Sequence, residues 1–288
     1  MARRKPPVVH GLCIVDKPAG VTSHDVVAMI RRRFNEKRVG HAGTLDPDAT
    51  GVLLIGIGKV TRVMRFMTVM GKTYTAEVVL GTSTSTLDSS GAVTGTFDMS
   101  AVTIEQAQAA VAQHLVGDIL QIPPMVSAVR VDGRRLHELA REGIEIERQP
   151  RPVTVHRFDV SATDDPMVLS ILVQCTSGTY IRTLADDLGR LLGGGAHLRN
   201  LRRTAVGSFT DTESASPDEC ELKPPWMAMR DYQLAVVNDE VAALVGNGRM
   251  LPRFDGDGPW AVMTTGGDLL AVYEAFGADS AKPAVVVV

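Results

Sequence analysis

Asp46 is the residue whose neighbours best suit it to covalent chemistry, at the centre of GHAGTLDPDATGVLLIGIGK (Gly40 to Lys59). An ionised carboxylate held in a fixed direction can act as a nucleophile. Pro47 disfavours the α region at Asp46, so the side chain is presented from an extended loop. Gly40, Gly43 and Gly51 allow positive φ or a close approach by a ligand. Thr50 or Asp48 can hydrogen-bond local backbone N–H groups and hold the loop shut. Behind the loop, Val52 to Gly58 reads as a buried strand. On residue types alone, a turn aspartate beside a proline accounts for the same letters.

Other chemistries have weaker footing. GIGKVT (Gly56 to Thr61) hints at a phosphate loop, but Leu53 stands where that pattern needs glycine and Val60 where it needs Ser or Thr. His10, His24 and His41 fall on separate elements without a companion set of carboxylates, so no metal is expected. The cysteines, Cys13, Cys175 and Cys220, are far apart, form no CxxC pair and read as buried thiols. Arg182 sits in the first turn of an expected helix, where a cation opposes the dipole and invites an anion. A surface salt bridge to Asp186, one helical turn on, is the alternative.

The elements that must position these groups form an α+β pattern. Gly11 to Gly20 reads as a strand ending in a turn. Thr22 or Ser23 then caps a helix with Val26, Val27, Ile30 and Phe34 on its apolar stripe. Arg31, Arg32 and Arg33 close that helix, where they suit the dipole or could meet phosphates. Lys72 to Gly81 alternates cleanly, with Tyr74, Ala76, Val78 and Leu80 on one face of a half-buried strand. Thr103 and Gln106 form a capping box for a helix closed by Gly117. Pro123 to Pro152 lacks a continuous core pattern, although Leu136, Leu139 and Ala140 suggest one short helix. Val168 to Cys175 is a strand, Ser177 and Gly178 turn the chain, and Ile181, Leu184, Leu188 and Leu191 repeat at helical spacing up to Gly193. Residues 211–230 are acidic and Pro-rich, which suggests a linker. Beyond it, LAVV, WAVMT, DLLAVYEA and AVVVV read as strands, with TGGD joining the middle pair as a hairpin.

At 288 residues, 44% hydrophobic and 22% charged, the chain has room for one large and one small domain of a soluble protein. No apolar run is long enough to span a bilayer, and MARRKPP is not followed by the apolar stretch of a secretory signal, so the cytoplasm is expected. The net charge of −3 conceals an asymmetry: residues 1–65 hold 12 Lys/Arg against 5 Asp/Glu, whereas residues 207–288 hold 5 against 13. Positive charge shares a segment with Asp46, which argues for a polyanion partner such as RNA.

The stretch GHAGTLDPDATGVL resembles the active-site motif of the bacterial TruB family, the tRNA pseudouridine-55 synthases. VDKPAGVTSHD, GKTYTAEVVLG, PPMVSAVRVDG, GTYIRTLADDLG and HLRNLRRT resemble that family too, in the right order, and cover residues 10 to 207 densely. The resemblance implies a mixed, largely antiparallel sheet with flanking helices over residues 1–210, an RNA-contacting insertion at about 123–152, a linker at 211–231 and a small β-rich PUA-like domain at 232–288. It implies Asp46 as nucleophile, Tyr74 stacked on the target base and Arg182 beside the carboxylate, opposing the pKa rise that a drying pocket causes. His41 would fill the space left by a flipped nucleotide, Lys17 would support the pocket floor or a phosphate, and Leu201 would pack below the base. Gly43, Thr44, Leu45, Arg130 and Arg202 complete the expected RNA contacts. Arg130 stands where relatives often carry Lys and His137 where they often carry Tyr, which puts those two contacts in question. The implied partner is the T stem-loop of tRNA, met by a monomer without cofactor, metal or guide RNA. Two alternatives remain: a non-catalytic tRNA-folding chaperone, and a guide-RNA-dependent synthase subunit.

Overall fold

The computed structural model describes residues 6–287 apart from 128–129, 132–133, 137–138, 140–141 and 145. The fold is mixed α+β, and most strand pairs are antiparallel. The chain divides into two compact units, Met1–Met70 with Ala205–Val288, and Gly71–Thr204. The sequence-based boundaries at 210 and 231 both fall inside the first unit.

In the first unit, strand β1 (Gly11–Lys17) and strand β2 (Val39–Ala42) both pair antiparallel with β3 (Thr50–Ile57). Successive side chains of a strand point to opposite faces, and β3 is apolar on both. Val52 and Leu54 join one buried cluster, while Leu53, Ile55 and Ile57 join another. That is why Val52 to Gly58 is a continuous apolar run rather than an alternating one. Helix α1 (Ser23–Arg33) lays Val26, Val27 and Ile30 on the second cluster. Of the two candidate caps, Thr22 is the one used: its hydroxyl accepts from Asp25 N–H, and the Asp25 carboxylate accepts from Thr22 N–H at 2.9 Å. A short helix, α2 (Met64–Thr68), follows.

The second unit is built on strands β4 (Lys72–Leu80), β5 (Gly117–Gln121), β6 (Arg151–Ala162), β7 (Val168–Cys175) and β8 (Ala196–Val206), the last crossing the division between the units. Their order in the sheet is β8-β4-β7-β6-β5. The β4 alternation holds along its whole length, with Lys72, Tyr74, Ala76, Val78 and Leu80 buried. Helix α3 (Ile104–His114) carries the expected Thr103/Gln106 capping box, and Gly117 follows it at φ +92°. Helix α4 (Ile181–Leu191) buries Ile181, Leu184 and Leu188, but Leu191 is exposed. Leu136 and Leu139, expected in one short helix, are both buried; Ala140 lies outside the described residues.

The chain then returns to the first unit. Strands β9 (Gln233–Val237), β10 (Trp260–Thr264), β11 (Leu269–Phe276) and β12 (Ser280–Val286) form a sheet closed at its far edge by Leu251–Pro252. The hairpin turn is as expected, with Gly267 at φ +90° and Thr264 N–H donating to Asp268 O. Helix α5 (Asp239–Gly246), capped by Asn238, has no counterpart among the sequence-based elements, because at two turns its apolar pattern is too short to separate from loop. The acidic stretch read as a linker is packed. Ala228 and Met229 are fully buried with Phe209, Ala261, Met263 and Val272 in the cluster that also holds Leu12, Ile14, Val52 and Leu54. Arg230 lies 3.8 Å over the Phe209 ring and pairs with Glu213. Composition concealed these spaced apolar anchors between prolines and acids.

Candidate active site

Asp46 is half-buried on the loop between β2 and β3, and that loop is held from below by two residues of the β1–α1 corner. The Ser23 hydroxyl accepts from Leu45 N–H at 2.9 Å and donates to Leu45 O at 3.2 Å, so one side chain fixes both polar groups of the residue before Asp46. Lys17, fully buried, donates to Pro18 O, Val21 O and Pro47 O at 2.7–2.9 Å. Three carbonyls match the three donors of an ammonium. The Pro47 carbonyl also accepts from Gly20 N–H, and Ala49 N–H donates to Asp46 O. Thr50 and Asp48, expected to close the loop, are replaced in that role by Ser23 and Lys17, which reach it from the preceding turn. Gly43 and Gly51 adopt φ +84° and +101°, as the tight path requires; Gly40 does not. Leu45 is buried and Thr44 exposed. His41, opposite Ile55 on β2, meets His24 edge-to-face at 5.3 Å.

In the second unit, Arg182 is 4% exposed at the start of α4. Its guanidinium donates to Thr86 O at 2.9 Å and Val126 O at 2.8 Å, and it lies 3.4 Å from the Asp88 carboxylate. The i+4 pairing expected as the alternative does not form: Asp186 pairs with Arg190 at 2.9 Å instead. Asp88 is itself aimed. Its Oδ1 accepts from the Thr86 and Ser90 hydroxyls and from Ser90 N–H, which leaves Oδ2 toward Arg182. The N-terminus of α4 has no side-chain cap, but Gln121, 2% exposed, accepts from Tyr180 N–H and donates to Tyr180 O. This clamp fixes where the helix begins and so where Arg182 points.

Tyr74 is 8% exposed on β4, opposite Val173 of β7. Lys72, on the same face, is buried, and that burial, with the positive charge of Arg203 adding to it, pushes its ammonium down to about 8. Burial likewise pushes Asp187 of α4 up to about 6, reinforced by the charge of Asp186. Leu201 and Arg202 are half-buried on β8. Arg130 begins a two-residue strand, Arg130–Val131; its side chain, like His137, lies outside the described residues.

The site residues therefore fall into two sets. Lys17, His41, Gly43, Thr44, Leu45 and Asp46 belong to the first unit, and Tyr74, Arg130, Arg182, Leu201 and Arg202 to the second. Sequence reasoning missed Asp88, Gln121, Lys72 and Arg203. For Asp88, a lone acid among Ser and Thr was the only signal, and nothing tied it to Arg182. Lys72 did show itself, since it is in phase with the apolar face of β4.

Residues 31–181 match the TruB family pseudouridylate synthase (N terminal domain), and residues 182–221 match the tRNA pseudouridylate synthase B C-terminal domain. The chain is 43% identical to a tRNA pseudouridine synthase B of Rhodococcus jostii, over 99% of this chain and 97% of that one. It is 53% identical to the protein of that name from Mycobacteroides abscessus, over 69% and 68%. Among solved structures, a Cbf5-Nop10-Gar1 complex matches with a TM-score of 0.74 at 25% identity, covering 96% of this chain and 85% of that one. An H/ACA RNP bound to a substrate RNA shares the fold, with a TM-score of 0.72 at 23% identity over 96% and 85%.

Proposed function

The chain belongs to the TruB family of pseudouridylate synthases, and from that premise we propose that it converts the uridine at position 55, in the T loop of tRNA, to pseudouridine. The reaction breaks the C1′–N1 bond, turns the uracil and rejoins it through C5; the C5 proton is then lost. No redox change or net hydrolysis occurs, so the chemistry requires no cofactor. The nucleotide must leave its stack before C1′ and C5 can be reached. Ionised Asp46 is the nucleophile, attacking the sugar or the base ring. Tyr74 stacks on the uracil and assists removal of the C5 proton. Arg182 orients charge, and His41 fills the vacated space. Leu201 forms the pocket floor, while Arg130 and Arg202 meet the RNA.

Lys17, expected to support the pocket floor or a phosphate, acts through the loop that carries Asp46. The observation that carries the reading is this double staple: Ser23 and Lys17 hold the backbone on either side of Asp46, as precise nucleophilic attack demands. Residues 1–210 supply the catalytic region in this proposal, 123–152 fold over the RNA, and 232–288 contact it as a PUA-like module beyond the 211–231 connection. The enzyme acts as a cytoplasmic monomer.

Incubation of the purified protein with an unmodified tRNA transcript, followed by base-specific mapping, tests the assignment. Pseudouridine at the T-loop position without added guide RNA is the expected product. A requirement for guide RNA would select the synthase-subunit alternative, and modification elsewhere would overturn the substrate.

A further inference from the structure

Two of the three cysteines, distant in sequence, meet inside the first unit. Cys13 is on β1, and Cys220 is in the packed stretch that runs beside it. Backbone bonds hold the two segments together: Leu12 and Lys223 exchange N–H and C=O at 3.0 and 2.8 Å, and Asp16 N–H donates to Ala215 O at 2.8 Å. Both thiols belong to one buried cluster, and each shifts the other's protonation. A cation is aimed at the same sulfur. Arg33 donates from Nη1 to Cys220 Sγ at 3.1 Å, and to the Cys220 and Pro217 carbonyls at 2.6 and 3.0 Å. Among the described residues no third donor joins the pair to make a metal site.

We propose that Cys13 and Cys220 are a dithiol modification site that peroxide oxidises to a disulfide, fastening β1 to the 215–223 stretch. The Cys13 thiol and the Arg33 charge both favour thiolate at Cys220, whose thiol is lowered from its ordinary value, while Cys13 is raised. Cys220 thiolate attacks hydrogen peroxide, forming a sulfenic acid and releasing hydroxide, which takes up the available proton. The Cys13 sulfur then displaces water from that sulfenic acid as its own proton departs. Overall, two thiols and one peroxide give one disulfide and two waters. Cys220 is 1% exposed and stands in the chain between the exposed Glu219 and Glu221. Cys175 is the internal control. It is equally buried, its thiol is pushed up to about 11 by that burial, and no partner thiol adjoins it.

The test is treatment of the whole native protein with hydrogen peroxide, followed by thiol titration, intact mass and peptide mapping without reductant. Three titratable thiols should fall to one, with the loss of two hydrogens in mass, a Cys13–Cys220 linked peptide and full reversal by dithiothreitol. In Cys13→Ser, Cys220 should instead yield a sulfenic acid that dimedone traps. Consumption of Cys175 at the same rate, gain of oxygen without a linked peptide, or three intact thiols would overturn the proposal.

Discussion

The Asp46 loop and the start of α4 each carry one proposed functional side chain, but they recruit their supports from different distances. Asp46 is held by Lys17 and Ser23, which lie in the β1–α1 corner before it in the chain. Arg182 is held by Thr86, Asp88 and Val126, and the helix under it by Gln121, all remote in sequence. The first arrangement can form as soon as a strand, a turn and a helix have come together. The second exists only after the sheet of its unit is assembled, because each of its bonds closes a long loop. The proposed nucleophile thus rests on bonds that span 22 to 30 residues, and the proposed charge-orienting group on bonds that span 56 to 96.

Substitutions can break or sharpen that contrast. Arg182→Met should lower kcat by about 10³-fold, and Arg182→Lys should not rescue it, since a single ammonium cannot reproduce a planar fork that serves two carbonyls and a carboxylate; single-turnover kinetics checks this. Lys17→Met should leave three carbonyls without their donor and cost about 3 kcal/mol of stability, read from denaturant midpoints. Asp187→Asn should show the opposite sign. The folded pKa of Asp187 is raised to about 6, so the native state binds its proton more tightly than the unfolded chain. Stability therefore falls as pH rises from about 4 through 6, and the Asn variant should gain on the order of 1–3 kcal/mol at pH 7 and lose that pH dependence. Ser23→Ala should cost about 1 kcal/mol and loosen only the Asp46 loop, so that hydrogen exchange accelerates at Leu45 and not along α4.

The same contrast explains what could be read without coordinates. The helix cap at Thr22 or Ser23, the capping box at Thr103, the β4 alternation and the Thr264–Asp268 hairpin depend on residues a few positions apart, and the structure contains each of them, with Thr22 as the cap. The family motif around Asp46 is likewise contiguous. Asp88 with Arg182 and Gln121 with Tyr180 are pairings across the fold, and no periodicity encodes them. The stretch 211–231 is a related case. Prolines and acids dominate its composition, whereas Ala228 and Met229 determine its packing. A two-turn helix such as α5 leaves only the Asn238 cap as a signal.

The account stands or falls on Asp46 acting as a nucleophile rather than as a structural turn residue. The direct measurement is Asp46→Asn assayed in parallel for pseudouridine formation and for tRNA binding. Loss of isomerisation with binding retained is the predicted result. Unchanged isomerisation in the amide variant would contradict it.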